Sequence, residues 1–562
     1  MSVKTVAAYE ALAADIKGLG VEYVFGLMSD DTAQLITTID GMGVKFRSAR
    51  HENNAVTMAE GYAAATGRLT IVILGRGPAT ANGMNGINFA MRTGSRVLVI
   101  CSDAPNTGGT VNGMGPDYKS FNSLSVLQAA GYRTFVANHA ATARHTLLQA
   151  AAAAHQGGVV LLLPANVQQT QIDPVATTPA PVPPAAVAPK PARGPAVQAA
   201  ADLLGKCKKP LFLVGWGAHR AGAREAIVRL ADHTGGALAT TMKAKEMFAG
   251  HPFNCGVMGG FSHAAGRRVM EQADCIVVIG AGMNSRTTSL GAAFSPDLPV
   301  IQIDANRSHI GRWFHADVSV VGDARLVAEQ LLAALPARAP EAMPLRSAKN
   351  ASGLADFKLS DDFEPMNTPR TIDARTLALE LDRLLPPNRN LIWDSGNLLV
   401  AAPYISCAGP AHFKQTNDTA SIGLGFGTAM GYAIGTPERT TVAIMGDGSF
   451  TMTMGELESV AREGIALVIV LMNDCAYGAE LHFLKERNVP VYLSQFPDID
   501  YAPVAQAFGF EAATVRTVED LRALAPMLAD PQGPVLLDCK INASVMASFL
   551  LEGLAHANSA KA

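Results

Sequence analysis

Eleven short apolar runs set the limits of this fold. They are YVFGL, LTIVILG, RVLVICSD and GVVLLLP, then PLFLVGWG, CIVVIGAG and LPVIQID, then LIWDSG, TVAIMGDG, ALVIVLMN and PVLLDCK. Each is strand-sized and continuous rather than alternating, so both faces of its strand are buried. The stretches between them have helical periodicity. Continuous strands alternating with amphipathic helices predict α/β domains built on doubly wound parallel sheets. Such sheets bind ligands at the carboxyl ends of their strands.

Two segments divide the runs into three groups. From Pro174 to Pro195 the chain has eight prolines in 22 residues, which excludes a regular element. A second connector, without periodicity, is read from about Pro336 to Pro369. The 562 residues thus separate into 1–172, 195–335 and 370–562, each near the usual domain size. With 17% charged and 49% hydrophobic residues the chain is not intrinsically disordered. A net charge of −3 argues against a nucleic-acid partner. No run approaches membrane-spanning length and no signal peptide is evident. The seven cysteines form no CxxC pair, so the expected setting is reduced and cytoplasmic.

The strongest chemical signal is TVAIMGDGSFTMTMGELESVAREGIALVIVLMNDCAYG. A strand ends at Met445, and Gly446, Asp447 and Gly448 are read as a tight loop. A helix is expected over about 454–463, and a second strand ends at Asn473-Asp474. Asp447 and Asp474 stand 27 residues apart, one strand–helix–strand unit. That unit places both carboxylates at the same end of neighbouring parallel strands. Two hard oxygen ligands beside Ser449 suit Mg²⁺ carrying a diphosphate. Asn473 is the alternative ligand if the register slips by one.

This unit resembles the diphosphate motif of thiamine diphosphate enzymes. RHENNAVTMAEGYAAATG around Glu52, the LGRGPATANGMNGINFA segment and SIGLGFGTAMGYAIG extend the likeness over essentially the whole chain. It is closest to the acetolactate synthase, benzaldehyde lyase and pyruvate decarboxylase group. The resemblance implies pyrimidine-binding, central and diphosphate-binding domains, in that order. It implies thiamine diphosphate and Mg²⁺ as cofactors, with Asp447, Asp474 and the carbonyl of Ala476 on the metal. Glu52 would face the cofactor's pyrimidine nitrogen, Ile422 would enforce the cofactor's bent shape, and Gly423 would offer a carbonyl to its amine. Asn397, Tyr477 and Gly478 are expected near the diphosphate. Most relatives carry Asn where this chain has Asp474. In the family the site forms between chains, so a homodimer is the minimum and a homotetramer is common.

The substrate residues are less defined. Asp30 in VFGLMSDD and Glu480 in NDCAYGAE match acidic positions of pyruvate decarboxylases and would serve as proton carriers; the alternative is two solvated loop carboxylates. The paired histidines of those decarboxylases are missing from GGTVNGMGPDYKSFNSL. Met28, Phe121, Tyr477, His482 and Phe483 are candidate pocket residues, His482 having a structural role as its alternative. Arg76 and Arg92 either meet a substrate carboxylate or form surface ion pairs. In the central domain Gly215-Trp216-Gly217 and Gly280-Ala281-Gly282 follow strands without completing a dinucleotide fingerprint. FAD is possible there but not favoured. The resemblance therefore implies a carbon–carbon lyase or carboligase acting on a 2-oxo acid or 2-hydroxy ketone through ylid and enamine intermediates, with acetolactate-synthase-like carboligation first. Decarboxylation of a 2-oxo acid and aldehyde lyase activity are the alternatives. A flavin-bearing oxidase and a non-catalytic paralogue rank below them.

Overall fold

The computed structural model describes residues 4–106, 118–183, 188–295, 297–336 and 343–550. Three six-stranded parallel sheets organise the chain, as the apolar runs predict. In spatial order the first sheet is Lys45–Ser48, Tyr23–Gly26, Thr70–Leu74, Val97–Asp103, Val159–Pro164 and Thr134–Val136. The second is Asn254–Val257, Ala237–Thr240, Pro210–Val214, Cys275–Ile279, Val300–Asp304 and Val318–Val321. The third is Phe413–Gln415, Arg389–Trp393, Thr440–Gly446, Val468–Asn473, Val535–Lys540 and Glu511–Val515. All eleven predicted strands are present. Of the eighteen strands in these three sheets, the seven that the sequence does not announce include all six sheet edges, where strands are short and only partly covered.

The connectors hold more structure than their composition suggests. Pro195 sits in the first turn of the helix Gly194–Lys206, where its missing N–H costs nothing. Residues 184–187 of the first connector lie outside the described residues. The second connector contains a helix, Ala348–Ala355, contrary to expectation. Ser347 caps it, and Asn350 bonds to Gln272 and to the Leu345 carbonyl, so this segment packs on the central domain. No described helix is long and apolar enough to cross a membrane.

The first and third sheets share one apolar core. Phe25, Val72 and Val99 of the first belong to the same buried cluster as Ala443, Met445 and Leu471 of the third. Its axis is a pair of helices, Glu52–Thr66 and Gly425–Gly435. The second is buried almost all round, so it acts as a core element. The two touch through missing side chains. A Cβ at Gly61 would lie 2.1 Å from the Thr428 carbonyl oxygen. At Gly427 it would lie 2.1 Å from Thr57 Oγ1, and at Gly431 2.1 Å from the Met58 carbonyl oxygen. Asn54 and Thr57 face Gly427, whereas Thr66 faces Gly435, so the helices run in parallel and start at the same end.

This packing makes Gly61→Ala a sharp test. Forcing a methyl group against backbone costs about 1–3 kcal/mol, which lowers the melting temperature by roughly 3–10 °C for units of this size. Gly18→Ala, where a Cβ meets nothing within 4 Å, leaves it within about 1 °C. Differential scanning calorimetry of the two variants reads the difference.

Candidate functional site

The common start of the two helices lies beside the carboxyl ends of the third sheet. Glu52 is the first residue of its helix and is buried at 7% exposure. His51 caps that helix, its Nδ1 accepting the Asn53 amide. Asn82, from the helix Pro78–Thr93, donates to Glu52 Oε2 at 3.2 Å. Asn85 of that same helix donates to Ser421 Oγ at 2.8 Å, tying the first domain to the Ile422–Gly423 turn. Gly423 has φ +82°, a left-handed conformation that favours glycine. Its amide donates to Asp394 Oδ2 at 2.9 Å and to Ser449 Oγ at 3.1 Å. Ser449 in turn donates to Asp394, and Thr416 donates to Asp394 Oδ1 at 2.8 Å. The fully buried Asp394 thus fixes the Gly423 turn, and the Ser449 hydroxyl is engaged in that task.

Asp447 and Asp474 follow adjacent strand ends, where Gly446 pairs with Met472. The expected glycine loop is absent: the strand Thr440–Gly446 runs straight into the helix Asp447–Thr453. The single expected helix is two, the second being Glu456–Glu463. Gly448 is needed for a different reason, since a Cβ there would lie 2.6 Å from the Tyr477 ring. A Cβ at Gly478 would lie 2.3 Å from Asp474 Oδ2 and 3.2 Å from Asn397 Cβ, so bare backbone borders the acidic pair. The Asn397 amide group is held by the Val545 carbonyl and the Ala547 amide. Asn473 is not available as a ligand. Its side chain donates to Asp538 at 2.9 Å and accepts the Cys475 amide at 3.1 Å, bracing Cys475 at a left-handed φ of +55°. Such strained backbone concentrates at functional sites.

The pair is electrostatically uncomfortable. Burial pushes Asp447 up to about 6. Burial, then the charge of Asp447, pushes Asp474 well above the usual carboxylate range. Asp447 Oδ1 is buried with no hydrogen-bond partner among the described residues. Two crowded carboxylates and an orphaned oxygen fit a divalent cation. Among the described residues no three His, Cys, Asp or Glu side chains form a metal cluster, so further ligands would come from backbone, such as Ala476, and from the bound group.

Asp30 and Glu480 are both exposed. Asp30 pairs with Lys119, which also donates to Asp31 at 2.9 Å. Burial opposes the charge of Asp31, but hydrogen bonds involving Asp30, Lys119, Ser29 and the Arg76 amide hold it well below the usual range. Met28 is 49% exposed, and Phe121 and Phe483 are half-buried. Tyr477 meets Phe496 edge-on at 4.7 Å. His482 is buried, its Nε2 has no partner among the described residues, and burial lowers its affinity for a proton. Arg76 is buried, and its Nε has no hydrogen-bond partner among the described residues. Most of the histidine-free segment lies outside the described residues.

Two cavities adjoin the central sheet. One of about 1360 Å³ is lined by Trp216, Arg220, Arg307, Arg312, Trp313 and Arg325. Another of about 400 Å³ lies where the three domains meet, between Arg92, Lys243, Arg286 and Asn417. The nearby glycines serve close packing. A Cβ at Gly215 would lie 2.4 Å from the Gly280 carbonyl oxygen.

Three residues not singled out from the sequence prove central: Asn82, Asp394 and Glu456, whose carboxylate accepts the Arg50 and His51 amides beside Glu52. Asp394 has the plainest signal, an acid just after a buried strand. Asn82 and Glu456 need the tertiary structure.

Comparison with known proteins points to one family. The N-terminal TPP-binding domain of thiamine pyrophosphate enzymes matches residues 6–120, the central domain 197–331 and the C-terminal TPP-binding domain 394–539. An acetolactate synthase of Arthrospira platensis is 25% identical over 562 residues, covering 96% of this chain and 95% of its own. A sulfoacetaldehyde acetyltransferase of Castellaniella defragrans is 25% identical, covering 92% and 90%. The X-ray structure of "a putative thiamin diphosphate-dependent enzyme" from Mycobacterium smegmatis shares the fold, with a TM-score of 0.76 at 20% identity, covering 96% of this chain and 100% of that one. Matched in each of its three sheets and along more than nine-tenths of its length, the chain belongs to the thiamine diphosphate-dependent enzymes.

Proposed function

We propose that the protein is a thiamine diphosphate- and Mg²⁺-dependent carboligase of the acetolactate synthase type. It would cleave a carbon–carbon bond in a 2-oxo acid or 2-hydroxy ketone and pass the acyl fragment to a second carbonyl compound. The observation that carries this reading is the near full-length match to acetolactate synthases, in a chain that sets Glu52 and the Gly423 turn at one end of two packed helices.

In this reading Asp447, Asp474 and the Ala476 carbonyl hold Mg²⁺. Gly446, Gly448, Tyr477, Gly478 and Asn397 border the diphosphate, and Ser449 acts through Asp394 and Gly423. Ile422 shapes the cofactor and Gly423 accepts from its amine. Thiamine diphosphate supplies a nucleophilic carbon that can stabilise the charge left by carbon–carbon cleavage. Glu52, steadied by Asn82, holds the proton exchanged with the pyrimidine nitrogen. Asp30, with Lys119, and Glu480 manage protons on the substrate side, near Met28, Phe121, His482 and Phe483. Arg76, buried and unpartnered at Nε, suits a carboxylate-bearing donor. No flavin is assigned to the central cavities. The reading includes a cytoplasmic homodimer or homotetramer: Met452, 59% exposed and next to Gly423, and the exposed Met28 are apolar surface that a second chain would cover.

Purified protein with thiamine diphosphate and Mg²⁺ is expected to convert pyruvate, alone or with an aldehyde acceptor, to acetolactate or mixed hydroxy ketones detectable by mass spectrometry. Free aldehyde as the sole product would overturn the carboligase reading in favour of a decarboxylase; cleavage of benzoin alone would favour an aldehyde lyase. Glu52→Gln should bind thiamine diphosphate with unchanged affinity by calorimetry yet lose exchange of the cofactor's C2 proton, and normal exchange contradicts the role of Glu52.

The acidic pair gives a pH test. The folded pKa of Asp447 is raised above its unfolded value, so ionisation is resisted by the fold. Cation-free protein therefore loses stability as pH rises from about 4 through 6, where the unfolded chain has already released the proton. The melting temperature of apoprotein should fall over this window, and Mg²⁺ with thiamine diphosphate should raise it more at pH 7 than at pH 5. Asp447→Asn should flatten both trends; an unchanged profile speaks against the pair as the cation site.

A further inference from the structure

Glu456 belongs to the third domain but binds the first. Its carboxylate is 1% exposed. Oε1 accepts the Arg50 amide at 2.9 Å, the His51 amide at 3.1 Å and Asn54 Nδ2 at 3.0 Å. Oε2 also lies 3.1 Å from the Arg50 amide. These donors flank Glu52 on both sides. A helix start leaves amides without internal partners and favours negative charge, and here a residue from another domain supplies it. Three outer contacts follow the same line: Arg50 to Glu458 at 2.6 Å, Arg462 to the Ser48 carbonyl at 2.8 Å, and Arg47 to Glu463 at 2.6 Å. They are more exposed and weaker. Only Met454 and Gly455 separate the Glu456 helix from the one that begins at Asp447.

We infer that Glu456 is a positioning residue that fixes the start of the Glu52 helix against the third domain of its own chain, and so sets where the Glu52 carboxyl meets the cofactor. The inference rests on the role proposed for Glu52. Removing the tether frees the helix start without touching any group that borders the diphosphate. A displacement of about 1 Å at a reacting group costs up to roughly 100-fold in rate.

The test uses full-length holoenzyme carrying Glu456→Ala, Glu456→Asp or Glu456→Gln. Glu456→Ala should lower kcat by about 10- to 100-fold, with KM and the thiamine diphosphate Kd within about threefold. Amide hydrogen exchange over residues 50–54 should speed up. Glu456→Asp keeps the charge but withdraws it, and should show a smaller loss of the same kind. Glu456→Gln should recover most of the rate, because its carbonyl oxygen can accept both backbone amides and the partnerless Asn54 Oδ1 can take its NH₂. If Glu456→Ala does not fold, Glu456→Asp decides. Wild-type kcat in Glu456→Asp and Glu456→Ala overturns the inference. So does a rise in Kd that parallels the loss of kcat, which marks a general structural role. Glu52→Gln serves as the control. Full activity there defeats the Glu52 reading itself, whereas an inactive Glu52→Gln beside active Glu456 variants defeats only this inference.

Discussion

The close approach of two helices is the constraint on which the site depends. Gly61, Gly427 and Gly431 let Glu52–Thr66 and Gly425–Gly435 pack backbone against backbone, at spacings that admit no Cβ. The shared apolar core of the first and third sheets is organised around this contact. Its consequence is directional. Because the helices run in parallel, their starts coincide, and each start carries chemistry: Glu52 on one, the left-handed Gly423 turn before the other. Missing side chains are thus as important to the site as those present, since one methyl group at Gly61 would push the two starts apart.

A second constraint is the cost of the acidic pair. Two like charges about 4 Å apart repel by on the order of 4 kcal/mol at an effective dielectric near 20. Asp447 and Asp474 nevertheless share a mostly buried space, and Asp447 Oδ1 faces it without a partner. A fold keeps such an arrangement only when something compensates for it, and a divalent cation does so directly. Around the pair the structure is stiff. Asn473 anchors to Asp538, Cys475 is held at positive φ, and bare glycine backbone flanks both acids. Asp394, by contrast, is fully satisfied by Thr416, Ser449 and the Ser395 and Gly423 amides, which suits a residue that shapes rather than reacts.

Interior strands and the strand–helix–strand unit were legible because burial on both faces writes a continuous apolar run. Edge strands such as Lys45–Ser48 and Glu511–Val515 were not, because half-exposed strands carry mixed residues. The helix Ala348–Ala355 was hidden for a related reason: it is short, and most of it is solvent-exposed. At the site, Glu52 and Asp447 stood out through their motifs. The glycine turn was misread, since GDG suggests a loop where Gly446 ends a strand and Asp447 opens a helix. Glu456 and Asn82 were invisible in sequence because their partners lie in another domain or on another helix. Arg76 was read as either a substrate contact or a surface group, and only burial decides against the surface.

The most direct test of the central claim is a crystal structure with thiamine diphosphate and Mn²⁺ in place of Mg²⁺, read by anomalous scattering. The account predicts one strong manganese peak between Asp447 and Asp474 of each chain, with a cofactor's pyrimidine ring against each Glu52. A peak elsewhere, or a cofactor whose ring lies away from Glu52, would contradict it.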